Sequence, residues 1–164
     1  MGLQLARLEL VVTEKVPLEH HEGIVAYVHT NGDVPHPGSI ARAMAKMGLS
    51  RSPQEVGWVL AINNSTEAYS LVEVARGTTC ELPIHKPTLY SAVLAAGTDR
   101  FVFIHNHPGS SIEPTETDIE LTQDLADGAD ILGMRLEDHY IISNDPDEYF
   151  SLRSHGLYQV DDAT

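Results

Sequence analysis

The chain predicts an α/β domain in which a mixed sheet is flanked by helices, and three observations carry that prediction. The first is a set of short runs rich in β-branched and aromatic residues, Val56–Ile62, Tyr69–Val74 and Val102–Ile104. Such runs are the pattern of strands buried in a sheet. The second is a longer segment, Thr115–Met134, whose apolar positions Ile119, Leu121, Leu125, Ala129 and Leu132 mark a helix. The third is size: 164 residues at 42% hydrophobic content suffice for one domain with a core of its own.

The elements follow in chain order. Residues 3–12 read as a strand on Leu3, Leu5, Leu8, Leu10, Val11 and Val12, and Gly23–His29 as another. Asn31-Gly32 is a turn signal, and 33–38, with two prolines, reads as a linker. Residues 1–38 thus form a strand-rich segment of no legible role, and 39–164 the main domain. Ser39 is the expected cap of a helix over Ile40–Met47, stopped by Gly48. Val56–Ile62 is apolar throughout and must be central. Glu73, inside Tyr69–Val74, is expected to face solvent. Val102–Ile104 leads into His105, and Pro108-Gly109-Ser110-Ser111 breaks the strand.

The chemistry collects after that strand, in His105-Asn106-His107-Pro108 followed by Thr115 and Asp118. Residues i and i+2 of a strand share a face, so His105 and His107 aim at one point if extended geometry lasts through His107. Asp118 arrives eleven residues later, in the first turn of the 115–134 helix, where the helix dipole favours a carboxylate. Two imidazoles and a carboxylate make three protein ligands, and a hydrolytic zinc site needs three plus an open position for water. The plainer reading of Thr115-x-x-Asp118 is a capping box. Thr115 is expected to do both jobs. A water-activating site also needs a base, and upstream Glu55, Glu67, Glu73 and Glu81 are available. Glu55 leads on position, at the mouth of Val56–Ile62.

These residues resemble the JAB/MPN (JAMM) metalloprotease superfamily, and within it the RadC-like branch. The pattern is a distant Glu, then H-x-H-P, six residues, Ser or Thr, two residues and Asp. His105, His107, Pro108, Thr115 and Asp118 stand in that register. The RadC-like branch usually has HNHPSG and Ser before the acid; here the run is HNHPGS, and Thr115 keeps the hydroxyl. Glu55-Val56-Gly57-Trp58, Arg76-Gly77-Thr78, Ile84-His85-Lys86-Pro87 before a helix at Thr88–Ala96, and the strand Asp138–Ile142 extend the resemblance over about Ser39 to Leu157. It implies a cytidine-deaminase-like sheet, Zn2+ on His105, His107 and Asp118, Glu55 as general base, and Thr115 helping to hold an oxyanion. It further implies hydrolysis of a peptide or isopeptide bond, of the kind found in ubiquitin-like protein conjugates. Zinc deaminases use H-x-E with P-C-x-x-C, and this chain has no C-x-x-C, so amide hydrolysis is the closer chemistry.

Charge bounds the partners. Net charge is -14, and from Glu113 onward fourteen acids face two bases, Arg135 and Arg153. Such a surface repels phosphate backbones and favours a basic partner or substrate, or serves solubility. Cys80 is the only cysteine, so no intrachain disulfide is possible; a partly buried loop thiol is expected rather than a ligand. No apolar run approaches membrane-spanning length, and Arg7, Glu9, Glu14 and Lys15 interrupt any signal-peptide pattern, so a cytoplasmic location is expected. His20-His21-Glu22 with Glu19 reads as a solvated turn before a second metal site. His85 is expected to cap or pack before the 88–96 helix, and His139 to support a ligand or lie in the core. His29, His36 and His155 carry no functional expectation. Three classes of function stand together at this point: a zinc metallopeptidase, a metal-binding interaction module without peptidase activity, and a DNA-repair association. The sequence leaves substrate, natural metal and oligomeric state open.

Overall fold

The computed structural model describes residues 37–64, 68–109 and 111–158. The expected strands over 3–12 and 23–29, the Asn31-Gly32 turn, the His20-His21-Glu22 group and Glu67 lie outside the described residues. The described elements run α1 (Pro37–Lys46), β1 (Val56–Ile62), β2 (Ala68–Arg76), α2 (Lys86–Ala95), β3 (Arg100–Asn106), α3 (Glu116–Ile131), β4 (Arg135–Ile142) and β5 (Tyr149–Ser151), with a 3-10 turn at Leu49–Arg51. The sheet order is β2-β1-β3-β4-β5. Only β3 and β4 are parallel; every other pair is antiparallel. A parallel pair cannot be closed by a hairpin, and α3 is the crossover between β3 and β4. The mixed α/β fold expected from the sequence is the one observed.

Alternation along β3 sorts its side chains to two cores. Phe101 and Phe103 face Leu89, Tyr90 and Val93 of α2 and Leu125 and Ala129 of α3. Val102 and Ile104 face Ile40, Ala41 and Met44 of α1, with Trp58, Leu60 and Ile62 from β1. The sheet is therefore covered on both faces. That is why β1 and β3 read as unbroken apolar runs rather than alternating ones. Each large side chain so buried contributes about 1.5–3 kcal/mol.

Some boundaries differ from the sequence reading. α1 begins at Pro37, so Pro37 and Gly38 belong to the helix rather than a linker, and Ser39 is not its cap. Proline is tolerated in a first turn, where its missing N–H would have no partner in any case. α2 begins at Lys86 rather than Thr88 for the same reason: Pro87 stands inside its first turn. His85 occupies the N-cap position there, and its Nδ1 lies 2.8 Å from the Thr88 hydroxyl. α3 ends at Ile131, and its N-cap is Thr115.

One glycine is required by a close approach. A Cβ on Gly77 would lie 1.8 Å from the Glu81 carbonyl oxygen. This crossing follows β2 and folds 78–81 back beside Glu55. Thr78 N–H donates to Glu81 O at 2.8 Å, Glu55 N–H to Thr78 O at 2.7 Å, and Gly77 N–H to Glu55 O at 2.8 Å. The Glu55 backbone is thereby pinned at the mouth of β1.

Candidate metal centre and its cleft

β3 delivers both histidines. Its regular pairing ends at Asn106, but His107 N–H still donates to Ile142 O of β4 at 3.0 Å. Extended geometry therefore carries through His107, and the two rings converge, with Nε2 to Nε2 at 2.9 Å. α3 delivers the carboxylate. Asp118 Oδ1 lies 3.3 Å from His105 Nε2, and Oδ2 lies 3.5 Å from His107 Nε2. His105 is buried, while His107 and Asp118 keep 13% and 14% of their side-chain surface and so form the open side.

The donor set fits a tetrahedral zinc ion. Zinc–ligand bonds of about 2.0–2.1 Å place tetrahedral donors about 3.3 Å apart. The three separations here bracket that edge, and His105, His107 and Asp118 are the one such cluster found among the described residues.

Thr115 is the N-cap, as the capping-box pattern predicted, and it also anchors the Asp118 carboxylate. Its Oγ1 accepts from Asp118 N–H at 3.2 Å, and its own N–H donates to Asp118 Oδ2 at 2.8 Å, completing a capping box. Its hydroxyl donates to the same Oδ2 at 2.7 Å. In this arrangement the Thr115 proton is directed at Asp118, so contact with a developing oxyanion would require the hydroxyl to rotate.

Electrostatics follow from this crowding. Burial raises Asp118, but the adjoining His105 and His107 rings, the charge of His105 when protonated and the Thr115 hydroxyl outweigh it, holding the carboxyl far below the usual range. Burial lowers His107, but its hydrogen bonds to Asp118 and the Ser111 carbonyl, with the charges of Asp118 and Glu55, lift it above its ordinary value. Glu55 is pushed up chiefly by burial, and further by Asp118 and Glu81, against the pull of His105 and His107.

A cleft of about 460 Å³ opens over the centre, lined by Glu55, Cys80–Pro83, His107, Thr115, Thr117, Asp118 and Leu121. Of the candidate bases, Glu55 and Glu81 line it. Glu73 is exposed on edge strand β2 and pairs with Arg76 through contacts of 2.9 and 2.7 Å. Cys80 is exposed rather than partly buried, because the 78–81 fold presents it at the cleft rim.

Two residues that the sequence reading passed over support the centre. Asn106, between the histidines, points to the other face and is fully buried. Its Oδ1 accepts from Val56 N–H at 2.8 Å, and its Nδ2 donates to Gln54 O at 3.1 Å and Ser52 O at 3.3 Å. It ties the segment carrying Glu55 to the strand carrying the ligands. The available signal was a polar amide at the end of an apolar strand, which must find partners when buried. The second is Thr122, one turn beyond Asp118, whose Oγ1 lies 2.6 Å from His139 Nδ1. His139 is fully buried on β4, and its Nε2 meets His105 Nδ1 at 2.7 Å. The expected support for a ligand is therefore the position His139 takes, and burial above all keeps its ring neutral.

A β-β-α-β-α-β order with two histidines from one strand and an acid from the first turn of the next helix defines a JAB-type domain. The chain belongs to the RadC-like JAB domain family, whose profile matches residues 34–157. It is 36% identical over 109 residues to a UPF0758 protein of Porphyromonas gingivalis, covering 66% of this chain and 48% of that one. It is 34% identical over 120 residues to a UPF0758 protein of Trichodesmium erythraeum (73% and 48%), and 33% over 115 residues to one of Acaryochloris marina (70% and 46%). The chain thus spans just under half the length of these curated relatives. No helix among the described residues is long and apolar enough to cross a membrane.

Proposed function

We propose that this domain is a zinc-dependent peptidase of the JAMM type, hydrolysing a peptide or isopeptide bond in a protein substrate, with ubiquitin-like conjugates as one class to test. The observation that carries the reading is the meeting of three tetrahedrally spaced donors with a half-buried carboxylate, Glu55, in one open cleft. His105, His107 and Asp118 would hold the ion, leaving the side toward the cleft for substrate. Zinc bound there would supply Lewis acidity toward a carbonyl oxygen and a lowered pKa for water.

Glu55 supplies the proton chemistry. Burial lifts its pKa, which makes its carboxylate a stronger base than an ordinary one and suits it to taking a proton from water. It takes a proton from the attacking water and returns it to the departing amine, so the C–N bond breaks without expelling an amide anion. The Thr115 hydroxyl lines the cleft and, once rotated from Asp118, would donate to the oxyanion, a role worth several kcal/mol. Among the described residues no Lys or Arg lines the cleft, so a basic segment of substrate would meet Glu55 and Glu81 there. The -14 net charge argues in the same direction, and against a nucleic-acid partner.

The test begins with the metal content of the purified protein beside a His107→Ala variant, followed by a screen of peptide and isopeptide substrates. Near one zinc per chain, lost in the variant, together with turnover that Glu55→Gln abolishes while zinc stays, is the expected result. A protein that takes up no zinc when it is added back would overturn the peptidase reading. Zinc binding without turnover of any amide would leave a metal-binding interaction module.

A further inference from the structure

A neutral imidazole carries one proton, so a metal-binding histidine must keep that proton on the nitrogen away from the metal. For His107 the backbone settles this. Its Nδ1 faces the Ser111 carbonyl at 3.0 Å, which can only accept, so Nδ1 carries the proton and Nε2 offers its lone pair. His105 has no carbonyl there. Its Nδ1 faces another imidazole, His139 Nε2, at 2.7 Å, and either ring is able to donate.

The ambiguity is resolved two bonds away. The Thr122 hydroxyl lies 2.5 Å from the carbonyl oxygen of Asp118, which can only accept, so the hydroxyl proton goes there. Having one proton, that oxygen must accept from its other neighbour, His139 Nδ1, at 2.6 Å. His139 then bears its proton on Nδ1 and accepts at Nε2. His105 in turn donates from Nδ1, and its Nε2 lone pair is left facing His107 Nε2 and Asp118. Thr122, His105 and His139 are all at most 1% exposed, so solvent offers none of them a substitute partner.

We propose that Thr122 and His139 are positioning residues that hold His105 in its ligating tautomer, and that Thr122, by bonding the Asp118 backbone as well, couples the helix ligand to the strand ligand. This rests on the zinc-holding part of the function proposed above. The opposite arrangement, with Thr122 donating to His139, would put an N–H on His105 Nε2, aimed at the space a metal must enter. Outer partners of metal-bound histidines typically govern 10–100-fold in affinity, which sets the size of the expected effect.

The test compares wild type with Thr122→Val, which keeps the shape and removes the hydroxyl, and Thr122→Ser, which restores it. Zinc affinity is read by competition with a chelator, ring tautomers by 15N shifts of the histidines, and folding by the melting transition of the metal-free proteins. The expected result is Nδ1–H on both His139 and His105 in the zinc-loaded wild type, a loss of about 10–100-fold in zinc affinity for Thr122→Val, and recovery to within about threefold for Thr122→Ser. The metal-free tautomer of His139 should also be Nδ1–H in wild type and mixed in Thr122→Val. Wild-type zinc affinity in a folded Thr122→Val, or an Nε2–H tautomer of His139, would overturn the proposal while leaving the peptidase reading intact. A wild type that binds no zinc would overturn both.

Discussion

Asn106→Ala should loosen the base without removing the ligands. The substitution deletes hydrogen bonds to Val56 N–H, Gln54 O and Ser52 O, at 2.8, 3.1 and 3.3 Å. At about 1 kcal/mol net per bond the direct loss is about 3 kcal/mol, and a stranded buried N–H at Val56 adds to it. Val56 and Asn106 are both fully buried, so water does not readily replace the amide. A loss of about 3–5 kcal/mol is expected, a large share of the ~5–15 kcal/mol that holds a domain together. Urea denaturation of the zinc-loaded protein would measure it, with hydrogen exchange at the Val56 amide locating it. Turnover should fall further than zinc affinity, because His105 and His107 sit on the opposite face of β3 and keep their own partners. Asn106→Asp supplies a control of equal shape: it retains an acceptor for Val56 but sets an oxygen against two carbonyl oxygens, so it should be at least as unstable. If both variants unfold within about 0.5 kcal/mol of wild type, with unchanged Val56 protection, the tie between the base segment and the ligand strand is not what the geometry implies.

Further outcomes follow from the same site. In the metal-free protein the Glu55 carboxyl should titrate above its ordinary value of 4.5, as 13C NMR would follow, and Glu81→Gln, which removes one of the charges raising it, should move that titration down. In the metal-free protein, His107 has a raised folded pKa, so its contribution to stability is full below about pH 6.5 and is lost as pH rises through the folded value. Thermal melts should show that decline without zinc and the reverse with it, since ligation needs the neutral ring. Gly77→Ala places a Cβ 1.8 Å from the Glu81 carbonyl oxygen, so the 77–81 fold must open. Turnover should drop as Glu55 loses its backbone partners, and a Gly77→Ala variant with wild-type kinetics would show that this close crossing does not position the base. Thr115→Ala removes an N-cap worth about 1 kcal/mol and one anchor of Asp118; Thr115→Ser should recover most of the stability in denaturant titrations.

The candidate ligand set was legible because it is local. His105 and His107 share a strand face by period, and Asp118 sits in a first turn where Thr115 caps, so fourteen consecutive residues, 105–118, encode three donors and their anchor. The strands and helices were legible for a related reason: a sheet covered on both faces turns β1 and β3 into plain apolar runs. Helix starts were less legible, because Pro37 and Pro87 look like breakers yet fit a first turn. Among the four glutamates considered as base, sequence position gave Glu55 only a modest lead. The fold sets Glu73 on β2 against Arg76 and leaves Glu55 and Glu81 lining the cleft, while Glu67 lies outside the described residues.

What the sequence by itself determined is the class of fold and which three side chains come together as a candidate metal triad, since both depend on periodicities of two and 3.6 residues within short stretches. What only the tertiary structure decided is how those side chains are held. Asn106 reaches back fifty residues to Val56, and His139 comes from a strand thirty-four residues beyond His105. The antiparallel pairing of β1 with β3 brings Val56 to Asn106, and the parallel pairing of β3 with β4 brings His139 beside His105. A buried polar atom must be satisfied by whatever lies beside it, and sequence distance says nothing of what that is.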